Sequence, residues 1–389
     1  MRKLLLGAAA ALVLGAGVAQ AADPVKIGFI TTLSGPAGYI GEDSRDAFLL
    51  AVKLGGGKLG GVPVAVTVED DGLQPGKGKQ IAERFLKDEH MKILTGVIFS
   101  NVLLAVAPTV VQSGSFYISN NAAPSQLAGK GCNKNYFVVS WQNDTLHESA
   151  GQYATNVGYK KMVILAPNYA AGKDALTGFK RFYKGQVVAE IYTKLNQTDF
   201  AAEMAQIRDA KPDAVFQFHP GGLGITFAKQ YVQAGLMKTI PMLVASPGMD
   251  DKIMHALGDN ALGVVSTTHW NWDFNNPSNK EFVAEFQKAY GHMPDFYASQ
   301  AYDAALLIGS ALKAVGGDMS KEDAFRAALK KADFASTRGK FKFGPNNHPI
   351  QDWYSRKVEK TADGKLENKT FGGPVLRDRG DAYSAECKM

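Results

Sequence analysis

Ser100 is the residue best placed to do chemistry, in the run Phe99-Ser100-Asn101 just ahead of a predicted helix over Val102–Val111. There its hydroxyl and the following N–H groups form a ready anion site, or else a plain helix cap that serves only its own backbone. Other candidates fail on spacing. Gly221-Gly222-Leu223-Gly224 follows a predicted strand and opens a predicted helix, the place of a dinucleotide fingerprint. Phe227 fills the third-glycine slot, however, and no acid ends the next strand, Leu243–Ala245, so a nicotinamide cofactor is not expected. Gly72–Lys79 (GLQPGKGK) has the wrong glycine spacing for a phosphate loop and lacks the hydroxyl residue after its lysine. No G-x-S-x-G elbow occurs. The seven histidines, at 90, 147, 219, 255, 269, 292 and 348, never fall at metal-ligand spacing. The expectation is a binding protein with no catalytic residue, no metal site and no cofactor.

These residues need elements to position them. Val25–Thr32 reads as a strand, Leu33–Tyr39 as a Ser/Gly/Pro loop, and Ala47, Phe48, Ala51 and Val52 lie on one face of the next helix. Strand Val62–Glu69, helix Lys77–Lys87, strand Lys92–Val97, helix Val102–Val111 and strand Phe116–Ser119 follow. The alternation restarts after Asp144 with strands at Met162–Ala166, Val187–Ile191, Ala214–Phe218, Pro241–Ala245 and Val264–Thr268. Apolar strands between amphipathic helices read as right-handed βαβ units on parallel sheets, so two doubly wound α/β lobes are expected. Asn279 to about Ala332 reads as helical, with late strands at Phe341–Phe343 and Trp353–Lys360. Open α/β sheets hold ligands at the C-terminal ends of their strands. In the first lobe those loops carry Ser34–Tyr39, Ser100 and Asn120–Pro124; in the second they carry Asn168, Tyr169, His219 and the Pro247-Gly248 turn. Taken alone, His219 reads as a satisfied structural histidine, and Trp270 and Trp272 as core or hinge packing.

The chain has 389 residues, too many for one core and enough for two. Its 46% hydrophobic and 21% charged residues are those of a globular protein. The net charge of +6 is not gathered into a basic block, so nucleic acid is not an expected partner. Arg2 and Lys3, the uncharged run Leu4–Val18 and the small-x-small triplet Ala19-Gln20-Ala21 form a secretory signal, with cleavage expected after Ala21. The run is shorter than the ~20 apolar residues that span a bilayer. Export places Cys132 and Cys387 in an oxidising compartment, where a bridge between them would pin the C-terminal tail; two unpaired thiols are the alternative.

Lys26-Ile-Gly-Phe-Ile30, Leu33-Ser-Gly-Pro36, Val68-Glu-Asp-Asp71 and Ala122-Ala-Pro124 resemble the periplasmic leucine/isoleucine/valine-binding protein family, the solute receptors of branched-chain-amino-acid-type ABC importers. The resemblance covers the whole chain after the signal. It implies two Rossmann-like lobes joined by a three-segment hinge, a ligand trapped as they close, and a membrane permease as partner of a periplasmic monomer. The expected lobes are 22–141 with 272–348, and 142–271 with 349–389.

The resemblance also implies that Ser100, with a backbone N–H at Ala122, holds a ligand carboxylate. The family's hydroxyl near Ala122 is absent here, although Asn120 and Asn121 are adjacent. The family's glutamate for a ligand ammonium belongs in Ser246-Pro247-Gly248-Met249, which has no acid; Asp250 and Asp251 lie just beyond. An ammonium buried without a counter-charge is costly, so a carboxylate without an amine fits better. Tyr39, Tyr169, His219, Trp270 and Tyr297 suit stacking on a flat ring and bonding a ring hydroxyl. Asn121–Cys132, Trp141-Gln-Asn-Asp144 and Phe218-His-Pro-Gly-Gly222 are similar to a branch taking up lignin-derived aromatic acids, which implies benzoates or hydroxycinnamates. Branched-chain or other amino acids, amides, urea and short aliphatic acids are the alternative ligands. A periplasmic chemosensory receptor is the alternative role, and a secreted enzyme the least supported one.

Overall fold

Ile27–Thr31 is an unbroken buried run, as expected of a strand covered on both faces. In the computed structural model, which describes residues 23–389, it belongs to β1 (Val25–Thr31) at the centre of a six-stranded sheet. The expected signal segment and its expected cleavage after Ala21 lie outside the described residues. After β1 come α1 (Gly38–Leu54), β2 (Lys58–Leu59), β3 (Val62–Asp70), α2 (Pro75–Lys87), β4 (Ile93–Thr95), α3 (Ser100–Gln112), β5 (Phe116–Ser119) and β6 (Tyr136–Val138). The strand order is β2-β3-β1-β4-β5-β6, parallel except for the β2–β3 hairpin. The winding reverses between β1 and β4, so the loops leaving those strands border a crevice. Asp70 and Asp71 at the end of β3 fix one of them: Asp70 accepts from the Leu33 N–H at 2.8 Å, and Asp71 from the Thr32 hydroxyl at 2.6 Å.

The second lobe follows the same logic. It comprises α4 (Asn143–Asn156), β7 (Lys161–Pro167), α5 (Ala170–Phe182), β8 (Gln186–Thr193), α6 (Ala201–Ala210), β9 (Ala214–Gln217), α7 (Gly222–Gln233), β10 (Met242–Ala245), α8 (Asp251–Leu257) and β11 (Val265–Thr268). The chain then supplies α9 (Pro277–Tyr290), α10 (Phe296–Val315) and α11 (Glu322–Lys331), whose Phe282, Phe286, Leu312, Phe325 and Leu329 are buried in the core of the first sheet. It returns through β12 (Lys342–Phe343), β13 (Pro349–Lys360) and β14 (Leu366–Arg379) to an eight-stranded second sheet, ordered β12-β13-β11-β10-β9-β7-β8 with β14 beside β13. The strands from β7 to β11 are parallel, and β12, β13 and β14 pair antiparallel.

β14 has no counterpart in the sequence reading. Its 14 residues include Gly372-Gly373-Pro374 and are largely half-buried or exposed, so neither period nor composition marks a strand; pairing with β13 makes it one. Ser100 is also placed differently from the expectation. It is the first residue of α3, with Phe99 as the capping residue, and no side chain caps that end. Cys132 and Cys387 are joined by a disulfide. The tail so tethered lies against the second lobe, where the Tyr383 hydroxyl donates to Asp144 at 2.8 Å and accepts from Arg181 at 3.2 Å.

Candidate functional site

The loops at the two switch points face one another across a crevice with about 400 Å³ of atom-free space, its mouth included. Ser100, Asn121, Ala122, Tyr169 and Tyr297 line it, as do Trp141, Asn143, His147 and Phe218. Polar groups gather at one end. The Asn143 amide donates to the Ser100 hydroxyl at 3.0 Å and to Asp174 at 3.0 Å, while its carbonyl accepts from the Ala123 N–H at 3.2 Å. Asn143 therefore fixes the Ser100 hydroxyl beside the opening of α3, whose first N–H groups carry the positive end of the helix dipole. The Asn121 amide is spent at both ends, donating to the Ile98 carbonyl at 2.7 Å and accepting from Gln300 at 2.5 Å. It shapes the loop. The Ala122 N–H points to the Val97 carbonyl at 3.3 Å.

Aromatic rings form the remaining walls. Tyr169 stacks parallel to Phe218 with centroids 6.4 Å apart and tilts against Phe99 at 6.5 Å. Tyr297 packs on Phe296 with ring centroids 4.0 Å apart, and Trp141 on Phe296 at 5.8 Å. Burial pushes the Tyr169 and Tyr297 phenols up, so both stay neutral donors. His147 stands one turn beyond Asn143 on α4, edge-on to Phe218 at 4.7 Å. Burial lowers its pKa to about 3, and its Nδ1 has no hydrogen-bond partner among the described residues. No acidic side chain is among the described residues lining this crevice.

Besides the bonds of Asn143 to Ser100 and Ala123, further contacts join the lobes over the crevice. The Tyr39 hydroxyl donates to Asp250 at 2.6 Å, the Gly222 N–H to the Pro36 carbonyl at 3.1 Å, and the Ser125 hydroxyl to Asp174 at 2.6 Å. Asp250 is fully engaged, since its other oxygen accepts from the Ile253 N–H at 2.9 Å as the cap of α8. Burial raises its pKa to about 6.

Three residues expected at the site lie elsewhere. Tyr39 acts as the interlobe contact just described and does not line the crevice. Trp270 is buried in the hinge, its indole N–H donating to Asn279 at 2.7 Å and its ring against Phe282. His219 is interior to the second lobe: its Nδ1 pairs with Gln217 at 2.8 Å, its Nε2 with the Thr193 hydroxyl at 3.0 Å, and its ring stacks on Phe227 at 4.5 Å. Trp141, Asn143, His147 and Phe218 were not singled out from the sequence. Three of them sit inside the runs Trp141–Asp144 and Phe218–Gly222, whereas His147 carries no local mark.

His219 has a measurable consequence. Burial lowers its pKa from 6.5 to about 3, so the unfolded chain binds a proton that the fold refuses. The stability it confers is present above pH 6.5 and is lost as pH falls toward 3. In urea unfolding, His219→Gln is expected to remove about 1.4 kcal/mol of acid sensitivity per pH unit between pH 6 and pH 4. Parallel curves for wild type and variant would refute this.

The periplasmic binding protein family matches residues 24–365. A Leu/Ile/Val-binding protein homolog 6 of Brucella melitensis is 32% identical, covering 97% of this chain and 100% of its own length. Among solved structures, an R. palustris ABC-transporter solute-binding protein in complex with benzoate is 31% identical with a TM-score of 0.88, covering 94% of this chain and 100% of its own. A second such protein, from Rhodopseudomonas palustris BisB5 in complex with 3,4-dihydroxybenzoic acid, is 32% identical with a TM-score of 0.83, covering 92% of this chain and 99% of its own.

Proposed function

This chain belongs to the periplasmic binding protein family, and we propose that it captures an aromatic carboxylic acid of the benzoate, hydroxybenzoate or hydroxycinnamate type. It is a solute-binding receptor of an ABC importer with the type I two-lobed fold. The observation that carries the ligand reading is the crevice lining: a hydroxyl and amide group at one end, ring walls beyond, and no carboxylate among the described lining residues. The ligand carboxylate takes the Ser100 hydroxyl and the N–H groups opening α3. The ring lies against Tyr169, Phe218 and Tyr297, and the unpaired His147 Nδ1 meets a ring hydroxyl. An amino acid would bring an ammonium to a site whose nearby acids are already bonded, Asp250 to Tyr39 and Ile253 and Asp174 to Ser125 and Asn143.

In this reading the mature chain begins at Ala22, works as a monomer, turns nothing over and passes its ligand to a membrane permease. The test is a thermal-shift and calorimetric panel on protein refolded to strip carried-over ligand, with benzoate, 4-hydroxybenzoate, p-coumarate, leucine, valine and glutamate. Aromatic acids alone are expected to raise the melting point; at about 100 times the dissociation constant the gain is roughly 2.7 kcal/mol. A shift with leucine or valine and none with the aromatic acids overturns the ligand reading and favours the specificity in the Brucella relatives' names. Ser100→Ala is expected to weaken carboxylate binding by about 1–3 kcal/mol. An unchanged dissociation constant removes Ser100 from the site.

A further inference from the structure

Tyr39 and Asp43 stand one turn apart on the same face of α1, and Tyr39 reaches Asp250, the cap of α8 in the other lobe. Asp43 thereby faces Asp250, Asp251 and Lys252 across the lobe interface. Asp295, the cap of α10, faces Asp43 within the first lobe and Asp250 and Asp251 beyond it. Four carboxyls thus converge where the lobes meet, two from each side. Asp43 and Asp295 are 9% and 8% exposed, and Asp250 only 1%. Against them stand Lys252 and Arg356, with His255 beside Asp251 at 3.9 Å and His292 beside Asp43 at 3.8 Å. On α1 itself, Arg45 is taken up by Asp46 at 2.8 Å, and Glu42 adds a further negative charge. The Tyr39 and Tyr297 phenols complete the surroundings.

Carboxyls crowded in this way favour the proton. Burial raises Asp43 to about 7, with Lys252 pulling it down and Asp250, Asp46 and Asp251 pushing it up. Burial and then Asp43 raise Asp295, and burial raises Asp250 and Asp251. Parting the lobes removes the opposite lobe's carboxyls and its cover from Asp43. We propose that this interlobe cluster is a proton-linked latch: closure takes up a proton on the Asp43–Asp295 pair, so the receptor captures its solute more tightly as pH falls. A carboxyl raised in the closed form above its open-form value favours closure below the closed-form pKa and opposes it above. His147 in the crevice, lowered to about 3, stays neutral across that window. Asp174 is raised only to about 6 and titrates lower.

Calorimetric titration of the mature protein at pH 8.0 and 6.0 tests the latch, with benzoate as probe and leucine in its place if benzoate gives no heat. Wild-type affinity is expected to rise roughly tenfold between the two pH values. Repeating the titration in buffers of different ionisation enthalpy should show net proton uptake on capture. Asp43→Asn imitates the protonated carboxyl, so it should bind more tightly than wild type at pH 8.0 and lose most of the pH dependence. A residue that only held the lobes together would, when replaced, weaken capture at both pH values. Asp295→Asn, which keeps a capping side chain, should act in the same direction and serves if Asp43→Asn does not fold. Small-angle scattering of the ligand-free protein needs no solute: the wild type should be more compact at pH 6.0 than at 8.0, and Asp43→Asn equally compact at both. The proposal is overturned if wild-type capture does not tighten on acidification, or if the variants weaken capture at pH 8.0, which would make attraction to Lys252 the stronger force. With neither solute bound, wild-type scattering that is the same at both pH values overturns it. None of these outcomes depends on which solute the crevice captures.

Discussion

In a Gly222→Val variant, solute capture is expected to weaken by roughly 10- to 100-fold, while unfolding of the ligand-free protein stays unchanged. Gly222 opens α7 in the second lobe, and a Cβ there would lie 2.5 Å from the Pro36 Cβ and 2.8 Å from the Pro36 carbonyl oxygen, both in the first lobe. Gly221 before it approaches Ala37 and Ile40 in the same way, with a φ of +68° that favours glycine. These overlaps exist only when the lobes are shut. Overpacking of this kind costs about 1–3 kcal/mol, and here the cost falls on the closed state alone. The apparent dissociation constant then rises as the closed, binding-competent fraction falls. Calorimetric titration with a solute that saturates the wild type, alongside a melting curve of the unliganded variant, checks both halves. Wild-type affinity in the variant would mean that capture does not need this contact.

Arg356→Met is expected to destabilise the protein by about 3–5 kcal/mol at pH 7.5, the effect of removing one partner from a buried charge cluster. Arg356 on β13 is 3% exposed. It donates to the Ser266 hydroxyl at 2.8 Å and to the Met249 and Ser246 carbonyls at 2.9 and 3.3 Å, clamping the turn that leads to Asp250. Burial lowers its pKa to about 10, against the opposing pull of Asp251, Asp250 and Asp295. Without it, Asp251, Asp250 and Asp295 lose the longer-range attraction of a buried cation. Burial already raises all three carboxyls, Asp250 to about 6, so the fold binds protons that the unfolded chain gives up. A raised carboxyl pKa means the penalty is absent at low pH and grows as pH rises through the folded value. The gap between variant and wild type should therefore narrow as pH falls from 7.5 to 5.5 in guanidinium unfolding. A gap below about 1 kcal/mol at pH 7.5, or one that widens on acidification, would contradict this account of the cluster.

Much of the architecture was legible in the sequence. Parallel strands covered on both faces read as short apolar runs, and the helices between them carry a one-sided period, so both lobes and the loops at their strand ends followed from the chain. That placed Ser100, Asn121, Ala122, Tyr169 and Tyr297 at strand ends or helix starts. His219 was misplaced because Gln217 and His219 lie two apart along the same stretch, and no local feature tells whether that face meets the crevice or the Phe227 ring. Trp270 carries the same ambiguity, and its partner Asn279 settles it. His147 lies mid-helix and faces the crevice only because Phe216 and Phe218 of the second sheet pack beside it.

The chain by itself determined most of the elements of both lobes, their order and the lack of a cofactor fingerprint, because each is written in spacing over a few to a few tens of residues. Tertiary structure alone decided that Gly221-Gly222 meets Pro36 and Ala37 of the other lobe, that Asp250 pairs with Tyr39, and that His219 pairs with Gln217 and Thr193 inside the second lobe. The physical reason is that these contacts join groups far apart in the chain. Tyr39 and Asp250 are 211 residues apart, and their bond spans the gap between the two lobes.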